Sequence, residues 1–205
     1  MPELPEVETI RCQLSDYTPI KIIRMEFSEK IDSILMQKDF VLSAGRTIEK
    51  IERRGKFLNF VLDREKNILS HLGMSGSWRI SHKALVGEKH KHLQIEGMWP
   101  DEGLIYFSYI DPRRFGKLYF MDRKKVSDFF AKLGVEITDK AFNLSYLKRI
   151  FECHPRRPIK VLLLEQKYFA GIGNYLSCEI CALSKIDPRK VVGDLSSLEM
   201  KRLLK

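Results

Sequence analysis

The residues best suited to covalent chemistry stand at the start of the chain. The sequence opens Met-Pro-Glu-Leu-Pro-Glu-Val-Glu-Thr, so removal of Met1 exposes the secondary amine of Pro2 beside the carboxylate of Glu3. A free amine attacks an electrophilic sugar carbon to form an iminium, and a neighbouring acid moves the proton. An α-amino group titrates near about 7.7–8.0, so part of it is neutral at physiological pH. The structural alternative is that Pro2 and Pro5 only begin a helix.

Three turns carry further candidate residues. Arg53–Phe57 brings three cations together around a glycine, and Lys56 in this turn can reach a phosphate or a reacting centre, although a solvated hairpin has the same composition. In His71–Gly76, glycines on both sides of Met74 favour a turn that projects its side chain, which suits the gap in a base stack; the alternative is a buried methionine.

The third turn, Asp111–Gly116, places Arg113 and Arg114 beside Phe115 between a proline and a glycine. Guanidinium groups next to an aromatic ring suit contacts with phosphates or base edges together with a stacking wedge. A structural ion pair with Asp111 is the alternative.

Two more segments have the character of anion sites. Gly171–Asn174 precedes a predicted helix, where backbone N–H groups and the helix dipole favour an anion, and Lys167 adds positive charge upstream, as do Arg189 and Lys190 downstream. His90 and His92 alternate with lysines, so we predict that both lie on one face of a basic strand that faces phosphate; they lack the partners that a metal site needs.

The composition limits the class of protein. The 205 residues carry a net charge of +9, which favours a polyanionic partner, and 44% are hydrophobic, which favours a folded core over disorder. The sequence contains neither a membrane-spanning stretch nor a secretory leader, so we expect a cytoplasmic protein without a membrane partner. The four cysteines form no disulfide or zinc pattern, and we predict that Cys178 and Cys181 pack in a helical core.

Hydrophobic periodicity predicts an α+β protein. A helix of about ten residues follows Pro5, and short β-branched and aromatic runs then predict an antiparallel β-sandwich. We place this first domain at residues 1–135 and a helical domain at 136–205. The predicted strands are 21–27, 48–52, 57–62, 68–72, 78–80, 92–96, 104–109 and 117–121. The predicted helices of the second part are 126–133, 145–151, one beginning at Pro158, 175–183, and one that starts at Ser196 or Ser197 and runs to the last residue.

Taken together, these motifs resemble the formamidopyrimidine-DNA glycosylase family of base-excision enzymes, and the opening is more similar to its bacterial purine-lesion branch than to its endonuclease VIII-like branch. The resemblance extends from Pro2 to the end of the chain. It implies an N-terminal helix and β-sandwich followed by a helix-two-turn-helix domain, acting as a monomer on double-stranded damaged DNA in the bacterial cytosol or nucleoid.

The resemblance also implies roles for individual residues. Pro2 matches the nucleophile, Glu3 the acid that protonates the sugar ring oxygen, Glu6 a second carboxylate, and Lys56 the catalytic lysine. The residues that match DNA contacts are Met74, Arg113 and Phe115, which fill the space of the flipped base, His90 and Asn174 at phosphates, and Glu179 on the following helix. Lys167 is added to the predicted DNA contacts because of its positive charge near Asn174. The implied activity is excision of oxidised purines (8-oxoguanine and formamidopyrimidines) followed by β,δ-elimination, with neither a metal nor an organic cofactor in the chemistry.

Family members usually continue into a four-cysteine zinc finger, and the purine-lesion branch has a loop that closes over the flipped base. The sequence ends before that finger and lacks that loop, so we expect no structural zinc. Two alternatives follow: a lyase that acts only on abasic sites, and a non-catalytic DNA-binding relative, for which a retained Met1 would be the distinguishing feature. A third alternative is an RNA-binding helix-two-turn-helix protein, but such a protein would have no function for the Pro2-Glu3 opening.

Overall fold

A computed structural model describes residues 2–40, 44–100 and 103–204. The chain forms two compact units that divide between Phe130 and Ala131, five residues before the boundary expected at 135. The reason for the earlier division is a short strand pair. Strand β10 (Val135–Glu136) pairs in parallel with β11 (Phe169–Ala170), which ties residues 135 and 136 to the helical unit.

The first unit begins with helix α1 (Leu4–Ser15), as the apolar spacing predicted. Val7 and Leu14 are fully buried, and Ile10 packs beside them against the core. Pro5 lies in the first turn, where its missing N–H costs no helical hydrogen bond. The buried face of α1 therefore anchors the N-terminal residues on the sheet.

All eight predicted strands are present, and nine strands form one continuous sheet in the order β2-β9-β5-β4-β3-β1-β7-β8-β6. Every neighbouring pair is antiparallel except β2 with β9, which run parallel. Within this sheet, the strand that the sequence did not predict is β2; the short strands β10 and β11 of the other sheet were not predicted either. The strands are β1 (Ile20–Phe27), β2 (Leu35–Lys38), β3 (Thr47–Arg54), β4 (Phe57–Leu62), β5 (Lys66–His71), β6 (Ser77–Ser81), β7 (Lys91–Trp99), β8 (Gly103–Ile110) and β9 (Lys117–Asp122).

The sheet folds over itself into the predicted two-layer sandwich. Trp78 lies on edge strand β6, yet its ring is 4.8 Å from that of Phe60 on β4, and its Nε1–H donates to Ser70 Oγ on β5 at 3.0 Å. These strands are distant in the sheet order, so only a folded sheet brings them together. Helix α2 (Arg123–Phe130) follows β9 and begins three residues earlier than predicted.

The second unit is helical around its own core. It contains α3 (Leu144–Cys153), α4 (Ile159–Leu163), α5 (Asn174–Leu183) and α6 (Ser197–Arg202). Asn143 caps α3 by accepting the Tyr146 N–H at 3.0 Å, and Ser196 caps α6. Helix α6 ends at Arg202, short of the predicted end, and Lys205 lies outside the described residues. Among the described residues, no helix is both long and apolar enough to span a bilayer.

Candidate active site

The N-terminal turn of α1 fixes the two residues proposed for covalent chemistry. Glu3 is the N-cap residue of α1, and its own backbone N–H donates to Glu6 Oε2 at 2.9 Å. The Glu3 side chain is only 3% exposed, whereas Pro2 is partly accessible. A buried acid next to an accessible imino residue is a suitable arrangement for amine attack with local proton transfer. Glu6 is exposed and acts here by holding the backbone of Glu3.

Lys56 lies in the tight turn between β3 and β4, where Gly55 adopts a φ of +58°. The lysine is only 7% exposed. Burial lowers the pKa of Lys56 because desolvation penalises the ammonium, while the negative charge of Glu3 partly opposes that shift. Glu3 and Lys56 are therefore close enough to interact electrostatically. A lysine with a lowered pKa exchanges protons more readily near neutral pH.

An ion pair connects the turn of Lys56 to helix α1. Arg53 Nε lies 2.7 Å from Glu8 Oε2, and Arg53 Nη1 donates to the Gly55 carbonyl at 3.0 Å. Burial tends to raise the pKa of Glu8, but hydrogen bonds from Arg11 and Arg53 outweigh it, so the pKa is lowered. The sequence had grouped Arg53 with Lys56 as one cationic cluster. In the structure Arg53 supports the turn that presents the lysine.

A third titratable group, the half-buried His71, lies near Lys56. His71 ends β5, pairs with Phe57 across the sheet, and its Nδ1 accepts the Gly73 N–H at 3.2 Å. Burial, followed by the positive charges of Lys56 and Lys117, lowers the pKa of His71 to about 4. The imidazole is thus neutral at physiological pH and can accept the hydrogen bond that starts the glycine turn.

Met74, Arg113 and Phe115 are brought together as predicted, on two adjoining turns. Met74 is 45% exposed and Phe115 is 51% exposed. The Arg113 guanidinium lies 4.7 Å from the centre of the Phe115 ring, a cation–π contact. An exposed methionine, aromatic ring and guanidinium form an apolar and cationic projection that suits insertion between bases. We call residues 73–76 and 111–116 the wedge turns.

The histidine prediction was partly wrong. Strand β7 begins at Lys91, and His90 precedes it with a φ of +68°, so His90 and His92 do not share a strand face. His90 is exposed beside the wedge turns, where its carbonyl accepts the Asp111 N–H at 3.0 Å. His92 is buried, with Nε2 3.0 Å from the Asp111 carbonyl and Nδ1 3.0 Å from Ser28 Oγ. His90 therefore stays a candidate for a phosphate contact, and His92 is structural.

In the second unit, Asn174 is exposed as the first residue of α5, after a loop in which Gly171 has a φ of +92°. Gln166 holds this loop: its Oε1 accepts the Gly171 N–H at 3.1 Å, and its Nε2 donates to the Ile172 carbonyl at 2.7 Å. The geometry fits an anion site at the start of a ten-residue helix.

The structure does not gather the other predicted residues of this unit around Asn174. Lys167 is exposed, and its Nζ lies 4.9 Å from the Tyr168 ring. Glu179 is exposed on α5, but at about 100° per residue it lies about 140° around the helix from Asn174, so the two do not share a face. Arg189 is paired with Asp187 and Lys190 with Glu199, so these two cations are engaged in local ion pairs.

The described residues do not form a metal site. No group of three or more histidine, cysteine, aspartate or glutamate side chains in residues 2–40, 44–100 and 103–204 could hold a metal ion. All four cysteines are free. Cys181 is buried in the helical core as predicted, but Cys178, one turn earlier on the same helix, is exposed, so the prediction for Cys178 was wrong. The residues present therefore do not fit a structural zinc.

Several residues that organise the site were not among the predicted ones: Glu8, Ser75, Asp111 and Gln166 act by hydrogen-bonding to turns, and their roles depend on contacts across the chain. Asp111 had been considered only as an ion-pair partner for the neighbouring arginines. Its carboxylate instead accepts hydrogen bonds from Ser75 and from backbone N–H groups. Residues of this kind give no periodic signal in a sequence.

Sequence comparison matches both units to known domains. Residues 1–118 match the formamidopyrimidine-DNA glycosylase N-terminal domain, and residues 133–205 match the formamidopyrimidine-DNA glycosylase H2TH domain. The formamidopyrimidine-DNA glycosylase of Bartonella quintana is 36% identical over 202 residues, covering 93% of this chain and 69% of the relative. That of Phenylobacterium zucineum is 36% identical over 217 residues, covering 96% of this chain and 72% of the relative.

Solved structures are similar over nearly the whole chain. Lactococcus lactis formamidopyrimidine-DNA glycosylase, non-covalently bound to DNA that contains an AP site, gives a TM-score of 0.86 at 31% identity, covering 99% of this chain and 77% of that one. A MutM structure in complex with DNA that contains carbocyclic 8-oxoguanine gives a TM-score of 0.85 at 31% identity, and the match covers 99% of this chain and 75% of that one.

Proposed function

Because this chain belongs to the formamidopyrimidine-DNA glycosylase family, we propose that it is a DNA glycosylase of base-excision repair that removes oxidised purines and then cleaves the abasic strand as a lyase. The substrate is double-stranded DNA with a lesion such as 8-oxoguanine or a formamidopyrimidine. The protein acts as a monomer in the bacterial cytosol, where the chromosome lies.

The observation that carries the proposal is the burial of Glu3 directly beside the accessible Pro2, together with a buried Lys56 close enough to be affected by the charge of Glu3. The neutral Pro2 nitrogen attacks C1′ of the lesion nucleotide, the C1′–N bond to the base breaks, and the base leaves with a proton. Glu3 protonates the ring oxygen, which opens the sugar and gives a Schiff base between Pro2 and C1′. The lowered pKa of Lys56 supports a role in proton transfer during these steps.

The Schiff base then allows strand cleavage without further reagents. Loss of the C2′ proton drives β-elimination of the 3′ phosphate, δ-elimination releases the 5′ phosphate, and water hydrolyses the iminium to restore the Pro2 amine. Every step is a proton transfer, an elimination or an addition at carbon. The proposed sequence of steps therefore uses neither a metal nor an organic cofactor.

The remaining predicted residues have binding roles in this proposal. Met74, Arg113 and Phe115 fill the space that the flipped base leaves, which offsets part of an unstacking cost of a few kcal/mol. His90 in the first unit binds a DNA phosphate. In the second unit Asn174 binds another, Lys167 adds a long-range attraction to DNA, and Glu179 is a further candidate for a DNA contact.

Borohydride trapping on duplex DNA with a single 8-oxoguanine tests the proposal. We expect a covalent adduct with the wild type, none with protein that retains Met1, and none with a Pro2 amine that is chemically acetylated. Pro5→Ala is the matched control, because it removes a proline three residues further on and leaves the amine free; its trapping yield should stay within about twofold of wild type.

Two carboxylate variants separate the proposed acid from its neighbour. Glu3→Gln should lower excision by about a hundredfold or more, the usual contribution of a general acid. Glu6→Gln keeps an oxygen that can accept the Glu3 N–H, so most activity should remain. If the wild type binds the lesion duplex but gives no adduct, the protein is a binding protein only; if an adduct forms with abasic DNA alone, it is a lyase only.

A further inference from the structure

The wedge turns are joined by one buried carboxylate. Asp111 is fully buried, at 0% exposure, directly after strand β8. Its Oδ1 accepts the Ser75 Oγ–H at 2.6 Å, which is a contact with the turn that carries Met74. Its Oδ2 accepts the Gly116 N–H at 2.8 Å, which is a contact within its own turn. Each oxygen thus secures a different side of the wedge.

The same carboxylate also fixes Arg113. The Arg113 N–H lies 3.2 Å from Asp111 Oδ1 and 3.2 Å from Ser75 Oγ. The hydroxyl of Ser75 therefore donates a hydrogen bond to Asp111 and accepts one from the backbone N–H of Arg113. A carboxylate offers two oxygens that accept hydrogen bonds, so it satisfies all of these donors at once. An amide in its place would present one acceptor oxygen and one NH2 group, and a donor would face a donor.

The backbone of Asp111 is held as firmly as its side chain. Its N–H donates to the His90 carbonyl at 3.0 Å, and its carbonyl accepts from Nε2 of the buried His92 at 3.0 Å. Because a carbonyl only accepts, His92 Nε2 carries a proton. The backbone N–H, the backbone carbonyl and the carboxylate of Asp111 are thus all hydrogen-bonded, which fixes its position between the two turns.

The turns also touch without a side chain between them. A Cβ atom on Gly73 would overlap the backbone of Phe115 and Gly116, and φ at Gly73 is +62°. The hydroxyl of Tyr109 fills the space beside both Gly76 and Gly116, where an added Cβ would overlap it. The two turns therefore form one packed body, with Met74, Arg113 and Phe115 on its exposed side.

We propose that Asp111 is a positioning residue that locks the two wedge turns into one preorganised unit, so that Met74, Arg113 and Phe115 enter the duplex together. The inference rests on the proposed function of the protein on damaged duplex DNA. A preorganised wedge loses little conformational freedom on insertion, so more of its contact energy opposes the cost of base flipping. Separated turns would each have to be ordered on the DNA.

The first test compares Asp111→Asn with Asp63→Asn, a matched exchange at an aspartate that pairs with Arg46 outside the wedge. Each variant is assayed on duplex DNA with 8-oxoguanine and on single-stranded DNA with an abasic site, which requires no wedge. For Asp111→Asn we expect a loss of about tenfold to a hundredfold on the duplex, as for one charged hydrogen bond, and a change within about twofold on the single strand. Asp63→Asn should match wild type on both.

The second test requires no chemistry. 2-Aminopurine is placed beside a stable tetrahydrofuran abasic analogue in duplex DNA, and its fluorescence reports unstacking when the wedge inserts. Ser75→Ala removes the hydroxyl that joins the turns. Ser81→Ala is its control, because Ser81 Oγ donates to the Lys83 carbonyl at 2.7 Å, outside the wedge turns. We expect the fluorescence rise at saturating protein to fall by about half or more in Ser75→Ala and Asp111→Asn, and to be unchanged in Ser81→Ala.

The outcomes separate this inference from the proposed function. Equal losses on duplex and single-stranded DNA, or a full fluorescence rise with Ser75→Ala and Asp111→Asn, would overturn the positioning role. A wild type that cleaves neither substrate would overturn the proposed reaction, while the fluorescence comparison would still decide whether Asp111 positions the wedge. If Asp111→Asn does not fold, Ser75→Ala decides both assays, since it removes one partly exposed hydroxyl.

Discussion

Replacement of Lys56 by methionine should stabilise the protein while removing its activity. Lys56 is nearly buried, and its pKa is lowered because the loss of hydration outweighs the attraction of Glu3. A lowered pKa means that the surroundings as a whole favour the neutral side chain over the ammonium, even though Glu3 alone favours the ammonium. Lys56→Met supplies a neutral side chain of similar length. We expect a gain of about 1 kcal/mol in the free energy of unfolding at pH 7, or about 2–4 °C in Tm.

The pH dependence gives this prediction a sign that can be checked. The folded state of wild type holds the Lys56 proton less tightly than the unfolded state, whose pKa is near 10.5. The penalty is therefore complete below the folded pKa and disappears as the pH rises through the window between the two values. The advantage of Lys56→Met should be largest at pH 7 and should shrink toward zero by about pH 10.5.

The assay is urea unfolding followed by circular dichroism at pH 7 and pH 10, combined with excision of 8-oxoguanine at pH 7. Excision should fall by about a hundredfold or more. Lys50→Met is the matched control, because this lysine has a 61% exposed side chain on β3; its stability should stay within about 0.5 kcal/mol of wild type and its activity should be retained. The reasoning would be refuted if Lys56→Met were less stable than wild type at pH 7. It would also be refuted if the difference in free energy of unfolding between the two proteins were the same at pH 7 and pH 10.

Three further outcomes are expected. The pKa of His71 is about 4 in the folded state against 6.5 in the unfolded state, so the free energy of unfolding of wild type should fall by roughly 3 kcal/mol as the pH is lowered from 6.5 to 4. In urea titrations over the same pH range, the free energy of unfolding of His71→Gln should fall by less. Arg53→Gln breaks the link between Glu8 and the Gly55 carbonyl, so excision should fall by about tenfold and the free energy of unfolding by about 1–3 kcal/mol. Activity equal to wild type would exclude a supporting role for the Arg53–Glu8 pair. Phe169→Ala should destabilise the helical unit by about 3–5 kcal/mol, seen as an earlier separate transition in calorimetry.

Local patterns predicted most of the fold because its elements are amphipathic. Val7 and Leu14 marked α1, and β-branched runs marked eight of the strands. Strand β2 gave no such signal, since it has four residues, alternates only between half-buried and exposed positions, and pairs in parallel with a strand far along the chain. The ends of α2 and α6 were displaced because tertiary packing, rather than propensity, decides where short helices stop.

The candidate site was predicted through residue types that carry chemistry, and less well where position depends on the backbone. Pro2, Glu3 and Lys56 were recognised by type, and the structure adds that Glu3 and Lys56 are buried. His90 and His92 were assigned to one strand face because alternation was assumed to begin before Lys91, whereas a positive φ at His90 breaks it. Arg189 and Lys190 were counted as free positive charge, but nearby carboxylates pair with both.

The placement of Trp78 inside the folded sheet has a practical consequence for spectroscopy. The sequence contains two tryptophans, and both Trp78 and Trp99 belong to the first unit. Trp78 packs against Phe60 and Tyr109, and this dry environment shifts its indole emission to the blue. The blue shift disappears when the two layers separate. Selective indole excitation thus follows the sandwich alone, and the helical unit, which contains tyrosine and phenylalanine but no tryptophan, stays dark in the same experiment.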